Sequence, residues 1–279
     1  MIASLRRHVG EGVSELAKPG SPMRLDDHVL QPFQLSHEVG HAIAMALDAL
    51  GTLEIILRDP SGNLRIPLFG IYPVARQALE AAAIGLWIAA PENPTVRRIR
   101  TLRLHAHEAR EEASLIAEFL KERPGDDPRG RKRKARQRQA QSTKPTRVDR
   151  ILEVATGARL DPAEVRKGVP SMRGLLDDVD ALHPMPEAGT RAIWQYLSGL
   201  AHPSQLRAIQ ASDLELSATS EPGISHARMT AKEEMVLLSL DAALMLVGNL
   251  LDAVAECGGN PSLRWQRDDL AVPPGWRVR

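Results

Sequence analysis

Cysteine is all but missing from this chain of 279 residues: Cys257 is the single one. No intramolecular disulfide can form, and no metal site built on several thiolates can exist. Aromatics are nearly as scarce, at 3%, so the core has to be assembled from Leu, Ala, Val and Ile. Neither sign of charge dominates: 36 Lys and Arg stand against 35 Asp and Glu, a net charge of +1. Such a chain is drawn to a polyanion only through local clusters. Long apolar runs are missing too. The best candidate, Glu234–Ala255, is interrupted by Ser239, Asp241, Asn249 and Asp252, which predicts no membrane span. Met1–Gly12 carries Arg6 and Arg7 with no apolar stretch behind them, so it does not read as a signal peptide. Together these absences predict a cytoplasmic protein.

Apolar residues make up 43% of the chain and charged residues 25%, and the wealth of Leu, Ala, Glu and Arg favours helix. A first helix is predicted over Asp27–Leu50, with Val39, Ile43, Ala46, Leu47 and Leu50 as its apolar stripe and Gly51 as its stop. Leu53–Leu57 and Leu64–Phe69 flank Asp59-Pro60-Ser61-Gly62-Asn63, which predicts a small β-hairpin near 53–69. Pro73–Ala90 is apolar nearly all round and reads as a central helix. Asn93-Pro94 is a cap followed by proline at the first helical position. The helix it opens carries Ile99, Leu102, Ala106, Ala109, Ala113, Ile116 and Leu120 at alternating spacings of three and four. That stripe suits either the core or a homodimer interface.

Shorter helices are predicted at 148–156, 162–168, 172–182 and Glu187–Ala201. A last long one covers 231–256, opened by a capping box from Thr230 to Glu233 and stopped by Gly258-Gly259. The tail from Asn260, with Trp265 and Trp276, is expected to lie over the surface. The fold class is therefore all-α, a multi-helix bundle with one small hairpin. It divides into an N-terminal helical part at 1–123, a basic linker at 124–147 and a C-terminal helical part at 148–279 that packs on the first.

One motif carries specific chemistry. His37-Glu38-Val39-Gly40-His41 reads HExxH, in which two imidazoles one helical turn apart share an ion and the glutamate takes a proton from metal-bound water. On a helical wheel His37, His41 and Asp48 share a face opposite the apolar stripe. An ordinary solvated helix face has the same pattern. A zinc reading needs a third ligand. The metzincin positions hold Ala44 and Leu47, with Asp48 one residue out of place, which leaves Glu80 on the next helix. Zinc would then be held by His37, His41 and Glu80, with Glu38 as base. Against this, Arg76 lies one turn before Glu80 and is placed to pair with it. Without that metal, no cofactor is implied.

Other constellations are less specific. Ser198 and His202 are one turn apart near a helix end, either a nucleophile and base or a packed terminus. Arg97, Arg100, Arg103, His107 and Arg110 form a basic strip, suited to phosphate contact or to pairing with Glu108, Glu111 and Glu112. Seven of the ten residues 129–138 are basic: Arg129, Arg131, Lys132, Arg133, Lys134, Arg136 and Arg138. Such a run can bind nucleic acid by releasing counterions from its phosphates. It lacks the aromatics needed for base stacking. With so few apolar residues it is otherwise a disordered linker or the solvated end of a helix.

Two families are similar in part. Glu80-Ala81-Ala82-Ala83-Ile84-Gly85-Leu86-Trp87-Ile88-Ala89-Ala90-Pro91 together with HEVGH resembles the phage-repressor-cleaving metallopeptidases of the ImmA/IrrE type over about 55 residues. Ala82 and Ile84 stand where that family has asparagine and phenylalanine. Arg76…Glu80…Trp87…Pro91, the arginine-rich Arg97–Leu104 and Trp194–His202 resemble uncharacterised all-helical actinobacterial proteins over about 70–240. Leu197-Ser198…His202 is also similar to HEPN-like helical domains, many of which act on RNA, and their Arg-x4–6-His motif has a match in Arg100…His105 or His107. The second resemblance brings no established activity; taken with the residues above, the sequence predicts a helical binding or interaction module, with Arg76, Glu80, Arg100, Arg103, Ser198 and His202 as binding residues and a nucleic-acid or defence role. The alternatives are a zinc metallopeptidase and an RNase.

Overall fold

The structure is a computed structural model. It describes Leu5, Val9 and residues 16–121, 127–142, 145–183, 189–220 and 223–265. The remainder of the basic linker, the start of the Glu187–Ala201 helix and Trp276 lie outside the described residues. The chain is mostly helical with one two-stranded antiparallel hairpin. In chain order the elements are α1 (Pro22–Leu30), α2 (Leu35–Ile56), α3 (Ile71–Ala89), α4 (Pro94–Leu120), α5 (Pro128–Ser142), α6 (Arg147–Gly157) and α7 (Pro162–Arg166). Then follow α8 (Met172–Leu182), α9 (Thr190–Ala201), α10 (Gln205–Gln210), β1 (Ser212–Ala218), β2 (Ser225–Ala231), α11 (Glu233–Cys257) and a 3-10 turn (Pro261–Leu263).

α3 is the axle, as its all-round apolar character predicts. Ala75, Ala78, Leu79, Ala82, Ala83 and Leu86 are fully buried, and α2, α4, α8, α9 and α11 all pack on it. Small side chains let those neighbours come close. A Cβ on Gly85 would meet Leu250 of α11 at 2.7 Å and the Ala42 Cβ of α2 at 3.1 Å. The main apolar cluster draws on both sides of the basic segment, from Leu35 and Leu86 to Leu197 and Val247. A second, smaller cluster joins Leu102, Ala106 and Ala109 of α4 to Ile151 and Ala155 of α6, Val165 and Phe33. α2 and α11 are each long and apolar enough to cross a membrane by length and composition, yet in the fold both lie against α3.

Several local expectations shift. There is no hairpin at 53–69: α2 runs on through Gly51 to Ile56, because Leu50, Leu53 and Leu57 continue the buried stripe. Only an isolated bridge, Arg58 to Leu64, remains there. The hairpin is β1–β2, in register from Ser212–Ala231 to Ala218–Ser225. The alternation at Leu214 and Leu216 was its signal, but both side chains are exposed, so it covers no core. Thr230 belongs to β2, and α11 starts at Glu233 without a side-chain cap. The α4 stripe is buried only as far as Ala109; Leu115 and Phe119 are exposed. Trp265 is buried rather than superficial, its ring against Gly248 of α11. By contrast, Asn93 caps α4 as predicted, and Ser171 caps α8 in the same way.

Candidate functional site

The start of α2 is held from α1: the buried Asp27 carboxylate accepts the Ser36 amide at 2.9 Å. This sets the rotation of the HEVGH turn. Val39, Ala42 and Ile43 face the core, which leaves His37 and His41 exposed. Glu38 falls between these faces and points toward α4, with its side chain only 11% exposed.

There it meets His105. Glu38 Oε1 lies 3.0 Å from His105 Nδ1, and Glu108 Oε2 lies 4.0 Å from the same nitrogen. His105 and Glu108 are three apart on α4, so both project over one turn. The imidazole is 5% exposed and its ring leans on Phe33, with centroids 5.2 Å apart. Neither ring nitrogen makes a hydrogen bond. At 3.0 Å the Glu38 contact is short enough, so its direction is what fails. Burial, then the nearby Glu38 charge, push the Glu108 carboxyl above its ordinary range, while His105, Arg147 and His41 pull it back. One ligand atom from each of Glu38, His105 and Glu108 lies within 4.8 Å of the others, a group that could hold a metal ion.

This is not the trio that the motif suggested. Among the described residues His37, His41 and Glu80 do not converge as a ligand group. Glu80 is engaged elsewhere: its Oε1 accepts from Arg76 Nε at 2.8 Å and Trp194 Nε1 at 2.6 Å, and the Arg76 guanidinium lies 5.5 Å from the Trp194 ring centre. A second arrangement repeats this chemistry. Asp178 Oδ2 accepts from Trp87 Nε1 and Arg100 Nη2, with the Arg100 guanidinium 4.9 Å from the Trp87 ring centre. Arg100 also donates to the Trp87 carbonyl, and burial lowers its pKa.

The basic strip of α4 divides: Arg97 is buried and Arg100 and Arg103 are half-buried, whereas His107 and Arg110 stay exposed. Arg97 and Arg98 share the buried Asp26, at 2.7 and 2.6 Å, and Arg97 also donates to the Pro91 and Glu92 carbonyls. Arg103 holds the carbonyl and carboxylate of Glu164 on α7. These cations tie helices together. Ser198 Oγ is buried without a hydrogen bond and His202 is exposed at the end of α9, so no nucleophile–base contact joins them. A groove of about 830 Å³ that sequence reading missed is lined by Arg97, Arg100, Asp178, His183, Asp252 and Cys257 among others. Burial raises the Asp252 carboxyl there, against the pull of Arg264 and His183.

In the sequence His105 stands out only as a possible partner of Arg100 in an Arg-x4–6-His match, and Glu108 only as a counter-charge to the basic strip. Their His-x-x-Glu spacing was the available signal, but nothing in sequence pointed it at Glu38. The basic run forms α5. Arg129, Arg131, Lys132, Arg133, Arg136 and Arg138 are exposed, and Lys134 is half-buried, donating to the Lys121 carbonyl at 3.0 Å. Arg129, Lys132, Arg133 and Arg136 line one shallow hollow. No protein-family model matches the chain, and no curated protein or solved structure resembles it closely enough to count as a match.

Proposed function

We propose that this chain is a helical binding module that docks nucleic acid through α5. The observation that carries the reading is a solvent-facing helix with seven Lys and Arg and no Asp or Glu between Pro128 and Ser142. Cations on all sides of one helix can follow a phosphate backbone, release its counterions and ignore base identity. The helix has no aromatic residue to stack on bases and no large apolar residue to enter a bilayer. The rest of the fold serves as a rigid support. Arg100 and Arg103 are committed to Asp178 and Glu164 and are left out of this surface.

Fluorescence anisotropy with a labelled duplex and a labelled single strand tests this. Binding at low salt should weaken by about a hundredfold between 50 and 200 mM salt if four phosphates are contacted. Replacing Arg129, Lys132, Arg133 and Arg136 together by Gln should flatten that slope. No binding at low salt, or a slope unchanged in the variant, rejects the proposal. Binding to anionic vesicles but not to either nucleic acid would assign α5 to a membrane surface instead.

An RNase working through Arg100 and His105 has less support. The first is bound to Asp178 and the second faces Glu38, so the two side chains serve different neighbours.

A further inference from the structure

We propose that Glu38, His105 and Glu108 bind one divalent transition-metal ion, of the Zn²⁺, Mn²⁺ or Fe²⁺ class. Three observations converge. The ligand atoms already cluster within 4.8 Å, and Nδ1 stands 3.0 and 4.0 Å from the two carboxylate oxygens. Ligand atoms around a tetrahedral ion at about 2.1 Å are about 3.4 Å apart, between those two distances. Glu108, the half-exposed member, has the torsional freedom to close the gap.

His105 supplies the independent evidence. It is an imidazole in the interior whose two nitrogens make no hydrogen bond. A buried polar ring that makes no hydrogen bond is costly. A simple ion pair with Glu38 would aim the Nδ1 hydrogen at the carboxylate oxygen, and that alignment is missing. A neutral imidazole that points its Nδ1 lone pair at a shared ion, with Glu38 as a second ligand beside it, fits the same short distance without a hydrogen bond.

The donor set selects the metal. One imidazole nitrogen with two carboxylates suits borderline cations, whereas Ca²⁺ and Mg²⁺ prefer all-oxygen shells and Cu⁺ prefers sulfur. Glu38 comes from α2, His105 and Glu108 from α4, so the ion would pin two helices. HEVGH takes part through its glutamate and not through its histidine pair.

The test uses the untagged full-length chain, stripped with chelator and titrated with Zn²⁺ and Mn²⁺ by calorimetry. Co²⁺ binding read by visible absorption reports mixed nitrogen and oxygen ligation. One equivalent should bind, and Glu38→Gln and Glu108→Gln should each weaken binding by tenfold or more. Glu108→Gln decides the matter, because a half-exposed side chain can change without unfolding the chain; circular dichroism confirms the fold. His37→Ala should bind as the parent does. Absence of stoichiometric binding, binding indifferent to Glu108→Gln, or binding lost in His37→Ala while Glu108→Gln retains it would each overturn the assignment.

Discussion

Glu38 of α2 reaches His105 of α4 across a helix interface, Oε1 to Nδ1 at 3.0 Å, with both side chains largely out of solvent. The contact turns the glutamate of HEVGH away from the histidines of its own motif. In metal-free protein the two residues should therefore be energetically coupled. A double-mutant cycle of Glu38→Gln and His105→Gln, read from urea unfolding, should show an interaction of about 1–2 kcal/mol. Additive effects would mean that the contact is incidental.

Asp26 should matter more to stability than any other single carboxylate described. It is fully buried and pairs with both Arg97 and Arg98. Asp26→Asn leaves the buried Arg97 guanidinium without its counter-charge, which costs about 3–5 kcal/mol. A fall in the urea midpoint at unchanged slope checks this, and a loss under about 1 kcal/mol would contradict it.

Gly258 ends α11 at an ordinary negative φ, so its requirement for glycine is steric and not conformational. A Cβ there would overlap the Leu16 carbonyl oxygen and come within 2.8 Å of the Val254 carbonyl oxygen. Lys18 also donates its amide to the Gly258 carbonyl at 2.9 Å, so the two segments cannot part freely. Gly258→Ala should cost about 2–3 kcal/mol. At Gly85, a Cβ would meet mainly the movable end of Leu250, and alanine there should cost less, since helix propensity returns about 1 kcal/mol. Thermal melts of the two variants compare them directly.

Cys257 gives a pH dependence of defined sign. Burial pushes its thiol up to about 11, helped by Asp26, Asp27 and Glu256 and opposed by Arg97. The unfolded thiol ionises near 9.0. Below that pH both states hold the proton and stability does not change. Between about 9 and 11 the unfolded chain loses its proton first, so stability falls as pH rises, by roughly 2–3 kcal/mol in total. Unfolding midpoints across that window should fall more steeply for the parent than for Cys257→Ala. Alkylation at pH 8 should be slow until denaturant is added.

Much of the helical framework was legible from periodicity. Apolar residues at three- and four-residue spacing located α2 and the first half of α4, because a stripe that must be buried imposes the helical period on the sequence, and an all-round apolar stretch located α3. Caps were legible where a single residue makes the hydrogen bond, as at Asn93. Boundaries failed where the stripe continued past a glycine, as at Gly51, and where a strand carried no core, as at Leu214 and Leu216. Arg100 and Arg103 looked like a surface because local sequence cannot show that Asp178 and Glu164, more than 60 residues away, fold over them.

By itself, then, the sequence determined a helical chain with an apolar axle near Pro73–Ala90, a basic run without aromatics and a short motif able to place Glu38 beside two histidines. Tertiary structure alone decided what Glu38 meets. The rotation of α2, set by its buried stripe and by Asp27 at its start, leaves His37 and His41 in solvent and turns Glu38 to His105 and Glu108. Residues 67 and 70 positions apart come together only when α2 and α4 pack against α3, and no local spacing encodes that approach.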